Sequence, residues 1–365
     1  MQITVQIKLL PTPLQIRLLD KTMLTYIRAV NEIVSDFLED STLKPTSKTI
    51  KAQLPSALKN QTIQDAKRVF RKYSKQLQTE AKKEVSNQKE IKVPILKKPV
   101  AIWNNQNYSI ESNRISIPVW YENKSTRLLI DGVLTDYQID LLRNKLGTLR
   151  ITRKSGKYMA QIAVSREEAQ PIANGQTVGV DLGLKVPAVA ATEDGKVRFF
   201  GNGRQNKFVK RKFRSRRISM GKAKKPKAMK TLNDKEQRWM RDKDHKVSRQ
   251  IIEFAKENNA SVIRLEKLSG IRQTARTSRK NEKNLHTWSF YRLAQFIEYK
   301  AKLEGIRVDY VDPRYTSQIC PLCHTRNHAR DRRYKCACGF SSHRDIVGAM
   351  NIISAPLADG NSLPA

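Results

Sequence analysis

The stretch Val178-Gly179-Val180-Asp181-Leu182-Gly183-Leu184 sets a single carboxylate inside a short apolar run. A run of that length with flanking glycines reads as a buried strand. A lone buried carboxylate is costly unless a cation meets it. Two readings follow: Asp181 caps a turn into Gly183, or the fold brings it a counter-charge or a metal ion. Gly179 and Gly183 leave room for other backbone or a ligand to come close. Two later carboxylates favour the second reading. Glu266 ends the apolar run Ser261-Val262-Ile263-Arg264-Leu265-Glu266, and Asp345 opens a helical pattern running to Ile353. Two carboxylates at strand ends and one on a late helix can converge on a divalent-metal pair, the arrangement for in-line cutting of a phosphodiester. Asp345 also reads as the end of a capping box that begins at Ser342, and the two readings are compatible. Gly348 and Ala349 lie on the face of Asp345 and let that helix approach a sheet closely.

Charge narrows the partners. The 365 residues carry 70 Lys plus Arg against 34 Asp plus Glu, a formal charge of +36. Such an excess self-repels unless a polyanion neutralises it, and nucleic acid does so with release of counterions. A membrane surface also attracts cations. However, no apolar run is long enough to span a bilayer, and the charges are spread along the chain instead of sitting on one amphipathic anchor. Residues 1–10 alternate Ile3, Val5, Ile7 and Leu9 with polar residues, the pattern of a strand and not of a signal peptide. All four cysteines fall between 320 and 338, which suits a metal clip in a reducing compartment. The expected location is the cytoplasm.

Periodicity then divides the chain. Thr12-Pro13 reads as an N-cap followed by proline at the first helical position. Helical spacing runs from Leu14 to Glu39 and again from about Asn60 to Val85, the latter with a basic face of Lys67, Arg68, Arg71, Lys72 and Lys75. From Val93 to Val164 the period changes to about two, in short strands punctuated by Gly, Asn and Asp, with a hairpin turn at Ser155-Gly156-Lys157. This predicts a small β-barrel over 1–9 and 93–170, with 10–92 as a helical insertion. Three strands follow at 177–183, 187–192 and 196–200. The run Arg204–Lys230 holds thirteen Lys or Arg and no acid. Such a run is commonly disordered in isolation, but Phe208, Val209, Phe213, Ile218 and Met220 give it an apolar side, so a helix that orders on nucleic acid is expected. Helices at 233–258 and 288–304, strands ending at Glu266 and Val311, a second basic loop at Arg272–Lys283 and the Asp345 helix complete the pattern. The order strand-strand-strand, helix, strand, helix, strand, helix predicts a ribonuclease-H-like α/β domain over 175–313 and 342–353. Residues 354–365 read as a loose tail.

Within that domain, Cys320-Pro-Leu-Cys323 and Cys336-Ala-Cys338 lie twelve residues apart. Two close cysteine pairs flanking a short loop predict a structural Zn2+ ribbon, inserted at 314–341, because four thiolates complete a tetrahedral shell. The second pair is tighter than usual, and His324, His328 or His343 could substitute for Cys338. The ribbon's Arg326, Arg330, Arg332, Arg333 and Lys335 suit a module that holds nucleic acid.

Taken together, Val180-Asp181-Leu182-Gly183, Leu265-Glu266-Lys267-Leu268, the run Val311-Asp312-Pro313-Arg314-Tyr315-Thr316-Ser317-Gln318 up to Cys320 and Cys323, and Arg344-Asp345 with Ala349, Asn351 and Ile352 resemble the TnpB family. TnpB proteins are transposon-encoded, RNA-guided nucleases related to type V CRISPR effectors. The resemblance is specific from about 175 to 353 and rests on element order before that. It implies a multi-domain α+β chain with a wedge-like barrel, recognition-type helices and a RuvC-like nuclease domain. It further implies a guide RNA from the transposon end, a short motif read beside double-stranded target DNA, and base pairing that reads the rest. Asp181, Glu266 and Asp345 would bind two catalytic Mg2+ ions, and Cys320, Cys323, Cys336 and Cys338 one Zn2+. The host would be bacterial or archaeal. The alternatives are an unguided transposase or resolvase, a nuclease-inactive RNA-guided repressor, and a plain zinc-ribbon nucleic-acid binder.

Overall fold

The computed structural model describes residues 1–83, 88–154, 156–274, 285–329 and 331–358. The end of the second helical pattern near Val85, the turn residue Ser155, most of the basic loop at Arg272–Lys283, Arg330 and the tail beyond 358 lie outside the described residues. The chain forms two compact units, Met1–Arg166 and Glu167–Ala365. Among the described residues, no helix is long and apolar enough to cross a membrane.

In the first unit, β1 (Gln2–Leu9) leads into α1 (Pro13–Glu39) and α2 (Ser56–Ala81). Thr12 caps α1 through a reciprocal capping box with Gln15, and Pro13 sits in its first turn. The buried stripe of α1, with Leu19, Met23, Val30 and Ile33, joins Leu58, Ile63 and Ala66 of α2 in one core. Tyr26 donates a 2.6 Å hydrogen bond to the buried Asp65 between the two helices. Six more strands follow: β2 (Val100–Trp103), β3 (Ser109–Glu111), β4 (Arg114–Tyr121), β5 (Lys124–Val133), β6 (Lys145–Lys154) and β7 (Lys157–Ser165). A short helix, α3 (Asp136–Leu142), separates β5 from β6. The sheet order is β2-β6-β7-β1-β5-β4-β3, so the first strand of the chain is central.

The closed barrel expected from the sequence is instead a curled half-barrel. Its end strands, β2 and β3, pair with β6 and β4 but not with each other. Side chains tie the opening together. Trp103 Nε1 donates to the Pro118 carbonyl at 3.1 Å, and the Tyr108 hydroxyl donates to the Gly147 carbonyl at 2.8 Å.

The second unit is built on a five-stranded sheet in the order β10-β9-β8-β11-β12. Its strands are β8 (Gln176–Leu182), β9 (Ala188–Thr192), β10 (Val197–Phe200), β11 (Ala260–Glu266) and β12 (Arg307–Val311). β8, β11 and β12 are parallel, β9 pairs antiparallel with β8, and β10 pairs antiparallel with β9. The helices are α4 (Gly203–Lys222), α5 (Pro226–Glu257), one-turn α6 (Ile271–Thr274), α7 (Phe290–Leu303) and α8 (Arg344–Ser354). A hairpin of β13 (Arg333–Lys335) and β14 (Ser341–His343) precedes α8.

The run at Arg204–Lys230 is helical in its own right. Asn202 caps α4 by accepting from the Gln205 amide, and half-buried Val209, Phe213 and Met220 line one side. Phe208 and Ile218, read with that apolar side, are exposed. α5 begins at Pro226, a turn or more before the expected start. The tail is not loose at its beginning. Leu357 bridges Val311, the Ala358 amide donates to the Tyr310 carbonyl, and the Asp312 amide donates to the Pro356 carbonyl. Free ladder groups on the edge strand β12 explain this order.

Side-chain alternation sorts the sheet's two faces. Val178, Val180, Leu182, Ile263 and Leu265 pack with Val247, Ile251 and Phe254 of α5 and Leu293 and Ile297 of α7. The opposite face takes α8, with Ala349, Ile346 and Ile353 against Val189 and Ala191. Contact there is very close. A Cβ on Gly179 would lie 2.1 Å from the Ala349 carbonyl oxygen and 2.9 Å from Ile353 Cγ1. Gly179→Ala must push α8 off the sheet and is expected to destabilise this unit by about 3 kcal/mol, the upper range for overpacking a core. Gly221, in α4 with open space around it, is the control. Gly221→Ala should be neutral or stabilising by up to about 1 kcal/mol. Denaturant melts of both variants check the contrast, and equal midpoints would refute the packing argument.

Candidate active site

The same alternation carries the polar residues. Gly179 and Asp181 of β8, and Arg264 and Glu266 of β11, point to the α8 face. The parallel register sets Gly179 beside Arg264 and Val180 beside Leu265, so Asp181 and Glu266 end adjacent central strands as neighbours. Asp345 is the second residue of α8, packed over that face. All three carboxylates line a cleft of about 740 Å³. Its position outside the carboxyl ends of parallel strands is where α/β sheets place ligand sites.

The electrostatics of this cluster are unfavourable as it stands. Burial pushes the Asp181 carboxyl well above the usual range, and the charges of Glu266 and Asp345 push it further; Arg332 and Arg344 pull the other way. Burial also raises Glu266, while a hydrogen bond from Thr316 lowers it. Arg332 reaches from beside β13 and pairs with both oxygens of the buried Asp345. Three carboxylates facing the guanidinia of Arg332 and Arg344 leave the cluster short of positive charge. Hard carboxylate oxygens, crowded together and open to a cleft, fit divalent cations such as Mg2+.

Asp345 is not the end of a capping box from Ser342. The cap of α8 is His343, whose Nδ1 accepts from the Asp345 amide at 3.2 Å. Ser342 is committed to the hairpin, paired with Tyr334.

The four cysteines converge. Cys320 Sγ lies 3.7 Å from Cys338 Sγ, and Cys323 Sγ lies 3.4 Å from Cys336 Sγ. All four sulfurs are within 4.8 Å of one another. A disulfide needs about 2 Å. A tetrahedral shell with about 2.3 Å zinc–sulfur bonds has edges of about 3.8 Å. The cluster therefore has the size of a four-thiolate metal site, and the tight pair does not keep Cys338 out of it. Among the described residues, no other group of three or more His, Cys, Asp or Glu gathers its ligand atoms in this way. The ligand oxygens of Asp181, Glu266 and Asp345 therefore do not all lie within 4.8 Å of one another.

Sequence reasoning gave no role to Thr316, Arg332 or Asn351 in this cluster. Thr316 and Asn351 stood inside quoted motifs, and Arg332 stood in a general basic patch. The Thr316 hydroxyl donates to Glu266 Oε1 at 2.5 Å.

Residues 290–352 match the family model described as Cas12f1-like, TNB domain. The chain is 26% identical over 341 residues to the CRISPR-associated endodeoxyribonuclease Cas12f1 of Sulfoacidibacillus thermotolerans, covering 84% of this chain and 78% of that one. It is 37% identical over 135 residues to the TnpB-like protein MJ0751 of Methanocaldococcus jannaschii, covering 35% of this chain and 48% of that one. Its fold superposes with a TM-score of 0.66 on a Cas12f1–sgRNA–target DNA complex, at 17% identity, over 94% of this chain and 82% of that one. A curled half-barrel unit, a five-stranded α/β unit and a cysteine hairpin before the last helix therefore make up a Cas12-like multi-domain α+β fold. The chain is a relative of TnpB and the type V CRISPR effectors.

Proposed function

We propose that this protein is an RNA-guided DNA endonuclease of the transposon-encoded kind. Guide RNA and double-stranded target DNA are its partners, and a RuvC-type site in the second unit does the cutting. The observation that carries the reading is the convergence of Asp181, Glu266 and Asp345 at the strand ends of a chain with a formal charge of +36. The charge supplies phosphate contacts for RNA and DNA, and base pairing supplies specificity. Two Mg2+ ions held by the three carboxylates would activate the attacking water and stabilise the leaving oxygen.

The chain's own residues do the rest. Asp181, between Glu266 and Asp345, supplies the central ligand. Arg332 and Arg344, both lining the cleft, lower the cost of gathering three negative charges and then meet the phosphates. The exposed basic side of α4 lies on backbone phosphates. Cys320, Cys323, Cys336 and Cys338 hold one Zn2+ that closes the hairpin as a ribbon. Residues 1–9 and 93–170 act as the wedge-like module and 10–92 as the recognition-type helices. The three carboxylates stand together in this chain, which favours an active nuclease over a nuclease-inactive repressor.

The test starts from the RNA that co-purifies with the protein. Its sequence identifies the guide, and a plasmid carrying the complementary sequence beside a randomised flank is the substrate. Cleavage is expected only for plasmids with the match and a restricted flank. Cutting that ignores the RNA sequence would convert the reading to an unguided recombinase.

A further inference from the structure

We propose that one face of α8, residues 345, 348 and 351, fixes the relative positions of all three carboxylates, with Asn351 and Thr316 as positioning residues for Glu266. The proposal rests on the nuclease reading above and adds how its site is held in register.

Residues three apart on a helix share a face, so Asp345, Gly348 and Asn351 form one row. Asp345 brings its own carboxylate. Gly348 lets the Asp181 carboxylate rest on the helix: a Cβ there would lie 3.2 Å from Asp181 Oδ2 and 3.3 Å from its Cγ. Asn351 reaches the third carboxylate through the connection from β12 to the cysteine hairpin. Its Nδ2 donates to the Thr316 carbonyl at 2.6 Å and to the Ile319 carbonyl at 2.7 Å, so both amide hydrogens are used on one loop. Arg344, next to Asp345, adds a 3.1 Å hydrogen bond to Ser317 Oγ.

The pinned residue, Thr316, is buried. Its hydroxyl has one hydrogen and two acceptors in reach, Glu266 Oε1 at 2.5 Å and the Pro313 carbonyl at 3.3 Å. The shorter, charge-assisted bond takes the proton. Glu266 otherwise belongs to β11, a separate element with no covalent tie to α8 nearby. Its carboxylate orientation is therefore inherited from α8 through Asn351, the Thr316 backbone and the Thr316 hydroxyl. A carboxylate oriented this way keeps its other oxygen, Oε2, for an ion. Hydrogen bonds behind a ligand of this kind typically change metal affinity by about 10- to 100-fold.

The experiment is a Mn2+ titration of the full chain, read by the electron paramagnetic resonance of free Mn2+. The Asp181→Ala chain serves as the blank for ions held elsewhere, including on any co-purified RNA. Thr316→Val keeps the branched shape and removes the hydroxyl. It should weaken the difference isotherm by about tenfold or more, with an unchanged melting temperature, whereas Thr316→Ser should stay within about twofold of the native affinity. Asn351→Ala should weaken it similarly. The double variant Thr316→Val with Asn351→Ala should be no weaker than the worse single variant, because both act through one path. Should Asn351→Ala fail to fold, the Thr316 pair still decides. Native Mn2+ affinity in Thr316→Val overturns the proposal and leaves the nuclease reading standing. A native chain that binds no more Mn2+ than the Asp181→Ala blank overturns both.

Discussion

Asp181→Asn is expected to lower the rate of guided cleavage by at least about a thousandfold, equivalent to about 4 kcal/mol of transition-state stabilisation, while guide-dependent DNA binding stays near the native level. Binding rests on phosphate contacts and base pairing, spread over a chain of +36 charge. Cutting, on the proposed reading, rests on the three carboxylates of the cleft. Asp181 feels the charges of both Glu266 and Asp345, so on the proposed reading its loss would strip a shared ligand from the metal site. The same substitution should have an opposite effect on stability in magnesium-free buffer. The folded-state pKa of Asp181 is raised by burial and by Glu266 and Asp345. A raised carboxyl pKa means that the native state binds the proton more tightly than the unfolded chain. Stability is then lost as the pH rises from the ordinary carboxylate range through the raised value. Asn cannot ionise, so at neutral pH the variant should melt at a higher temperature than the native chain, and added Mg2+ should narrow the gap. Normal cleavage by Asp181→Asn would remove this residue from the active site. A lower metal-free melting temperature would refute the electrostatic account of the cluster.

Cys320→Ser should release one zinc ion per chain and unfold the hairpin locally. Elemental analysis and protease sensitivity near residues 320–340 are the measurements. The hairpin has little else to hold it. Its core is Cys320, Tyr334 and Val347, with Ala329, Cys336 and Phe340 partly buried around them. Metal binding in small thiolate modules supplies apparent free energies of about 10–16 kcal/mol, far more than so few apolar contacts provide. Cleavage should fall as well, because Thr316, just before this segment, and Arg332, within it, contact Glu266 and Asp345. The β11–β8 core should survive, so the effect is a loss of function without global unfolding. Zinc near zero in freshly purified, unchelated native protein would defeat the claim.

The buried parallel strands were the most legible part of the chain in its sequence. Apolar runs ending in Asp181 and Glu266 could be read as strands, and their period of two fixes which face each carboxylate takes. The cysteine cluster was legible from spacing, but the reach of Cys338 depends on how the β13–β14 hairpin turns the chain. The open edge of the half-barrel was not legible: β2 and β3 could be read as strands from their period of two, but alternation does not say which strands pair. The Ser342 box failed because hairpin pairing claimed Ser342 and left His343 at the helix start. Asn351 and Thr316 were hidden for a simpler reason. Their roles arise across separations of 35 and 50 residues, between Asn351 and Thr316 and between Thr316 and Glu266. No local pattern records contacts of that range.

The short segment at residues 356–358 beside β12 bears on how this protein can be handled. By supplying backbone partners to Tyr310 and Asp312, it works as a selvedge, a finished border on an otherwise raw sheet. Truncation at Ser354 would uncover a hydrogen-bonding edge on β12 and invite strand-to-strand oligomers. Tags, reporter fusions and tethered effector domains therefore belong beyond residue 358, and a linker that replaces 356–358 trades solubility for reach.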